Sequence, residues 1–184
     1  SCTDCPWQTK QRKFFVILLL EFISFALDKL KLNKIIIIIS KLIIFILLIF
    51  IQIIMGALVS GLDAGKIYQT WPMMGSSYLP NDFNFKDLSS TLEFNNHTLV
   101  QFYHRNLAYL IILYAIFLSI FIYKKKLFNL YLSLKILSFI LLLQIALGIF
   151  TLVTGLNIYL ASVHQITSVL LVLSALNLYY CRAK

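Results

Sequence analysis

Two histidines stand in matching surroundings, each near the start of an apolar run: Phe102-Tyr103-His104-Arg105 and Ser162-Val163-His164-Gln165. If both runs are spanning helices, each imidazole lies about one to two turns below the membrane boundary, where an ionisable group is costly and marks function by default. Two imidazoles at one depth on different helices suit axial ligation of a single metal, a haem iron, because helical bundles build cofactor sites from inward-facing side chains. The alternative is that each histidine only hydrogen-bonds a neighbouring helix. No Cys, Asp or Glu is near either histidine in sequence to complete a zinc or copper set.

The neighbours extend both readings. Arg105 and Lys66 could each pair a haem propionate, or Arg105 could simply snorkel to the interface. Gln101 and Gln165 are placed to orient an imidazole or donate to a propionate. Small residues at Gly56, Ser60, Ala108, Gly148, Ala161 and Ser168 admit a flat macrocycle, or close helix packing. Tyr68-Gln69-Thr70-Trp71-Pro72-Met73-Met74 reads either as an interfacial aromatic anchor or as a lid, led by Trp71, over a cofactor edge.

The elements that must position these residues follow from composition. Of 184 residues, 60% are hydrophobic and 12% charged, concentrated in long apolar runs, which excludes an ordinary soluble domain. A spanning helix needs about 20 apolar residues. Ile35 to Leu62, Leu99 to Tyr123, Leu134 to Leu156 and Tyr159 to Tyr180 meet that requirement. Phe14 to Leu27 is shorter, carries Glu21, and is either a degraded span or an interfacial helix. The expected fold is an all-α integral membrane protein: an antiparallel four-helix transmembrane bundle over 35–184, with a short extra N-terminal helix in a segment over 1–34.

The formal charge of +9 would suggest nucleic acid in a soluble protein, but the basic residues sit at the ends of apolar runs. Lys29, Lys31 and Lys34 precede the first span, Lys124, Lys125, Lys126 and Lys135 flank the second and third, and Arg182 and Lys184 follow the fourth. Alternating helices put all three clusters on one face, the inner one by the positive-inside rule. The acidic loop from Asp63 to Thr98 and both histidines then lie toward the outer face. Lys41, inside the first run, can snorkel if the helix enters the bilayer near there.

The first and third spans share a pattern. Gln52-Ile-Ile-Met-Gly56 followed by Gly61-Leu62 is matched by Gln144-Ile-Ala-Leu-Gly148 followed by Gly155-Leu156, and each precedes a histidine helix. The chain therefore reads as two similar helical hairpins.

These segments bring the sequence to a family. Gln52 through Gly65, Tyr68-Gln-Thr-Trp-Pro-Met73, Val100-Gln-Phe-Tyr-His104-Arg105-Asn-Leu-Ala-Tyr109, Leu143 through Thr151 and Leu160-Ala-Ser-Val-His164-Gln165 together resemble haem A synthase. That membrane enzyme oxidises haem O to haem A for terminal oxidases. The resemblance implies eight helices in two homologous halves, each with a histidine pair, and this chain matches the C-terminal half. It implies that His104 and His164 ligate a b-type haem there. The catalytic N-terminal half is expected to lie outside the chain, so the catalytic residues are not named. The chain is then a fragment, one product of a split gene, or a diverged homologue acting as a b-type cytochrome or an assembly subunit. Implied partners are the bilayer, haem O and haem A, and an N-terminal half or a second copy, with no nucleic acid. The implied location is a mitochondrial inner membrane or a bacterial plasma membrane.

Two further motifs take plainer readings. Cys2-Thr-Asp-Cys5 has redox spacing but a polar terminal context, and Asn96-His97-Thr98 matches a glycosylation acceptor.

Overall fold

The computed structural model describes residues 34–80 and 94–183. Phe14 to Leu27, Cys2, Cys5 and the basic residues before position 34 lie outside the described residues. Residues 1–40 and 41–184 form two units. Of the first, the early turns of one helix are described, and the contacts below belong to the second.

Four helices carry the chain: α1 (Lys34–Gly61), α2 (His97–Lys124), α3 (Tyr131–Val153) and α4 (Ile158–Ala183). All four are long and apolar enough to cross a membrane. At 1.5 Å per residue even the shortest, α3 with 23 residues, exceeds the hydrocarbon thickness of about 30 Å. The remaining regular structure among the described residues is two 3-10 turns, Ala64–Lys66 and Phe128–Leu130, and one antiparallel bridge between Met74 and Ser77. The protein is an all-helical membrane protein, as its composition requires.

The apolar surface is divided as a bilayer demands. Leu113, Phe139, Leu142, Ile166 and Leu173 are exposed, while Leu42, Phe45, Ile49, Leu118, Leu137 and Leu178 are buried between helices. Lipid tails are as apolar as leucine, so burial alone does not hold helices together, and close packing and hydrogen bonds must. Tyr114 on α2 stacks on Phe45 of α1 with ring centroids 6.0 Å apart. Its hydroxyl donates to the Lys41 carbonyl at 3.0 Å. Lys41 is 4% exposed, with Nζ 5.1 Å from the Phe117 ring centroid and 5.2 Å from that of Phe121. A cation over an aromatic face is attracted by the ring quadrupole. Helices α3 and α4 are tied at one end by Asn177 Nδ2 donating to Ser133 Oγ at 3.2 Å.

The helix ends explain where the chain turns. Asn96 precedes α2 and its side-chain oxygen accepts from Thr98 N and Leu99 N. Asn157 precedes α4 and accepts from Tyr159 N at 3.0 Å and Leu160 N at 3.4 Å. Asparagine at this position satisfies amide hydrogens that the first turn leaves unpaired. The α3 terminus falls at Val153, three residues before the expected Leu156, because Gly155 and Leu156 both take positive φ (74° and 62°). There Gly155 N donates to Leu152 O and Leu156 N to Thr151 O, the paired bonds of a Schellman ending. Helix α2 ends in the same way, with Lys126 N on Tyr123 O and Leu127 N on Ile122 O.

Replacing Asn96 with Ala removes both cap bonds and is expected to cost about 1 kcal/mol. Asn96→Asp should restore most of it. Thermal unfolding in detergent measures the difference, and an unchanged midpoint for Asn96→Ala would contradict the cap.

Candidate functional site

The Asn caps set the depth of the two histidines. His104 is eight residues beyond Asn96 and His164 seven beyond Asn157, so both lie about 10–12 Å along their helices from the cap. The facing glutamines obey a matching rule. Gln52 precedes the end of α1 by nine residues, and Gln144 precedes the end of α3 by nine.

Across each hairpin the glutamine amide holds the histidine. Gln52 Nε2 donates to the His104 carbonyl at 3.1 Å and lies 3.4 Å from His104 Nε2. Gln144 Nε2 donates to the His164 carbonyl at 3.0 Å and lies 3.5 Å from His164 Nε2. One amide nitrogen thus touches both main chain and ring, and the ring cannot turn away without losing that contact.

The glycine four residues after each glutamine lies on the same helix face and makes room for the ring. A Cβ at Gly56 would stand 3.2 Å from His104 Cε1, and one at Gly148 would stand 3.0 Å from His164 Cε1. On both histidines Nδ1 is buried without a hydrogen-bond partner. Among the described residues no three His, Cys, Asp or Glu side chains gather into a metal-binding group.

Arg105 serves the loop. Nη1 donates to Thr70 O at 2.8 Å and Met73 O at 3.3 Å, and Nη2 to Tyr68 O at 2.7 Å. Gln101 is 2% exposed and its Nε2 also donates to Tyr68 O, at 2.8 Å. Thr70 Oγ1 donates to Met73 O and accepts from Gly75 N, closing the turn that carries Trp71, which is exposed. Tyr78 donates to Asn106 Oδ1 at 2.5 Å. Burial, with the Tyr109 phenol second, raises its pKa above the ordinary 10.0 and keeps it a donor. Lys66 is paired with Asp63 at 2.9 Å on the surface.

Of the residues named from sequence, His104 and His164 are each held by a glutamine of the neighbouring helix, while Arg105 and Gln101 are held on the loop backbone. Gln165, the immediate neighbour of His164, is exposed. The amides on the imidazoles belong to Gln52 and Gln144, whose signal in the sequence was the repeated Gln-Ile-x-x-Gly pattern. Thr167 had no such signal; its hydroxyl donates to Gln144 Oε1.

Comparison with known proteins places this arrangement in context. The family model COX15-CtaA, described as cytochrome oxidase assembly protein, matches residues 14–176. A protein named Heme A synthase from Pelagibacter ubique is 45% identical over 127 residues, 69% of this chain and 37% of its own. Proteins of the same name from Rickettsia prowazekii and Orientia tsutsugamushi are 36% and 37% identical, over 68% and 80% of this chain and 37% and 40% of theirs. The chain thus spans under half the length of these relatives. No solved structure gives a significant match.

The Arg105 fork predicts its own test. Arg105→Met removes three charged contacts to the loop, where bonds of this type are worth about 1.5–3 kcal/mol each at most. Residues 67–75 should then become susceptible to limited proteolysis while the helices stay resistant. Arg105→Lys should recover only part of the protection, since an ammonium cannot fork between carbonyls as a guanidinium does. Equal cleavage of all three proteins would contradict the clamp.

Proposed function

The chain belongs to the COX15-CtaA family of cytochrome oxidase assembly proteins, and from that premise we propose that it is the haem-b-binding half of a haem A synthase. In this reading His104 and His164 would hold one haem through its iron, and the chain would take part in oxidation of haem O to haem A. The observation that carries it is the pair of half-buried imidazoles, each held by a glutamine and each with a buried ring nitrogen that no protein group satisfies. Buried polar atoms are ordinarily paired, so two such atoms in equivalent positions of two hairpins fit a ligand between them.

The donor set supports haem over a bare ion. A macrocycle brings its own equatorial nitrogens and asks the protein for two axial donors, whereas structural zinc asks for four. When bound, the haem supplies one-electron redox chemistry. The protein supplies orientation: Gln52 and Gln144 fix the imidazoles through main chain and ring, and Gly56 and Gly148 leave space for them. Such supporting contacts commonly change metal affinity by about 10–100-fold. The lipid-facing apolar surface excludes water from the pair.

The membrane orientation is also part of the proposal. Lys124, Lys125, Lys126 and Lys135 mark the inner end, and the loop gripped by Arg105 and Gln101 covers the outer end, where propionates would meet water. In this reading the exposed Trp71 of that loop would act as a lid over a cofactor edge. The remaining half of the enzyme, with the haem O site, is proposed to come from a separate partner segment or polypeptide.

Purified protein given haem should yield a reduced-minus-oxidised spectrum of b type, and the double variant His104→Ala/His164→Ala should lose it. Folded wild-type protein that takes up no haem would end this reading. Haem O should be converted to haem A only when a candidate N-terminal half is co-expressed. Stable haem binding with no conversion in its presence would leave a simple electron carrier as the better description.

A further inference from the structure

The two hairpins are alike in their glutamine, glycine and histidine but differ one turn beyond the histidine. Position 167, three residues after His164, is threonine, and its hydroxyl oxygen lies nearest to Gln144 Oε1, at 2.5 Å, with the Val163 and His164 carbonyls of its own helix at 2.9 and 3.1 Å. Position 107, three residues after His104, is leucine, and Gln52 Oε1 is buried with no partner. Both ends of the Gln144 amide are therefore tied: nitrogen to the His164 carbonyl, oxygen to Thr167. Gln52 is tied at its nitrogen alone.

Two other observations run the same way. Helices α3 and α4 are joined by the short turn 154–157 and share the Asn177–Ser133 bond, whereas 35 residues separate α1 from α2. Besides Gln52 Oε1, the first hairpin leaves Gln101 Oε1, His104 Nδ1 and Arg105 Nε buried and unpaired; the second leaves His164 Nδ1. Unsatisfied groups stabilise no single arrangement, and a fully satisfied network fixes one.

We infer that the two histidines are inequivalent: His164 is the anchoring ligand and His104 the exchangeable one, with Thr167 acting through Gln144 as the positioning residue that makes the difference. The inference rests on the haem reading above and deepens it. An exchangeable His104 leaves one face of the iron able to lose its protein ligand while the other keeps the haem in place.

The test uses the full chain, purified and supplied with haem, and compares retained haem and carbon monoxide uptake by the ferrous protein. His104→Ala should keep its haem and bind carbon monoxide, seen as a shift of the Soret band. His164→Ala should retain at least about tenfold less haem. Thr167→Leu keeps both histidines, so it remains informative if His164→Ala does not fold. It should weaken haem retention about tenfold, with Thr167→Ser restoring it. Leu107→Thr, which offers Gln52 Oε1 a hydroxyl, should slow carbon monoxide uptake. Equal behaviour of the two alanine variants, the reverse order, or an unaffected Thr167→Leu would overturn the inference while leaving bis-histidine binding intact. Wild-type protein that binds no haem would overturn both.

Discussion

A glutamine amide that reaches from one helix to the carbonyl and ring of a histidine on the next is the contact on which this structure turns. Inside a bilayer, apolar packing between helices gains little over lipid, so an interhelical hydrogen bond carries specificity that a soluble core would draw from burial. The clamp constrains everything around it. The helices must approach closely, which requires glycine one turn from each glutamine, because a Cβ would stand 3.0–3.2 Å from the imidazole. The histidine must sit at one depth, which the Asn96 and Asn157 caps set by fixing where α2 and α4 begin.

The clamp is repeated, and the rest of the molecule makes the copies unequal. The second hairpin closes on itself through a four-residue turn, a Schellman ending and the Thr167 hydroxyl. The first is finished by a long loop, gripped from α2 by Arg105 and Gln101 through three main-chain carbonyls. That loop meets the second hairpin at its turn: a Cβ on Gly65 would stand 2.9 Å from Leu156 Cδ2. Cations that looked available for a propionate are thereby engaged in structure, Arg105 on the loop and Lys66 on Asp63. The outer end of the bundle is thereby covered by a surface that the protein has already organised.

Much of this was legible in the sequence. Uninterrupted apolar runs announce spanning helices because backbone groups in a bilayer must pair within the helix. Residue types alone therefore placed the four helices to within a few residues, and the costliness of a buried imidazole singled out His104 and His164. The repeat of Gln52 and Gly56 in Gln144 and Gly148 was equally visible, and so was the family it points to. The end of α3 was less so, since Leu156 at positive φ is an uncommon choice for a β-carbon-bearing residue and no simple composition rule announces it.

What the sequence by itself determined is the four long apolar helices and the type of chemistry two intramembrane histidines invite. What only the tertiary structure decided is which side chains meet them. Neighbours in sequence are turned about 100° apart around a helix, so Gln165 faces outward although it adjoins His164. Gln52 and Gln144 reach the rings from other helices because helix rotation and crossing place them there. The same rotation brings Thr167, unremarked in the sequence, onto Gln144. Spacing along one helix fixes which residues share its face, but the partner of that face is set by packing between helices, and no local pattern encodes it.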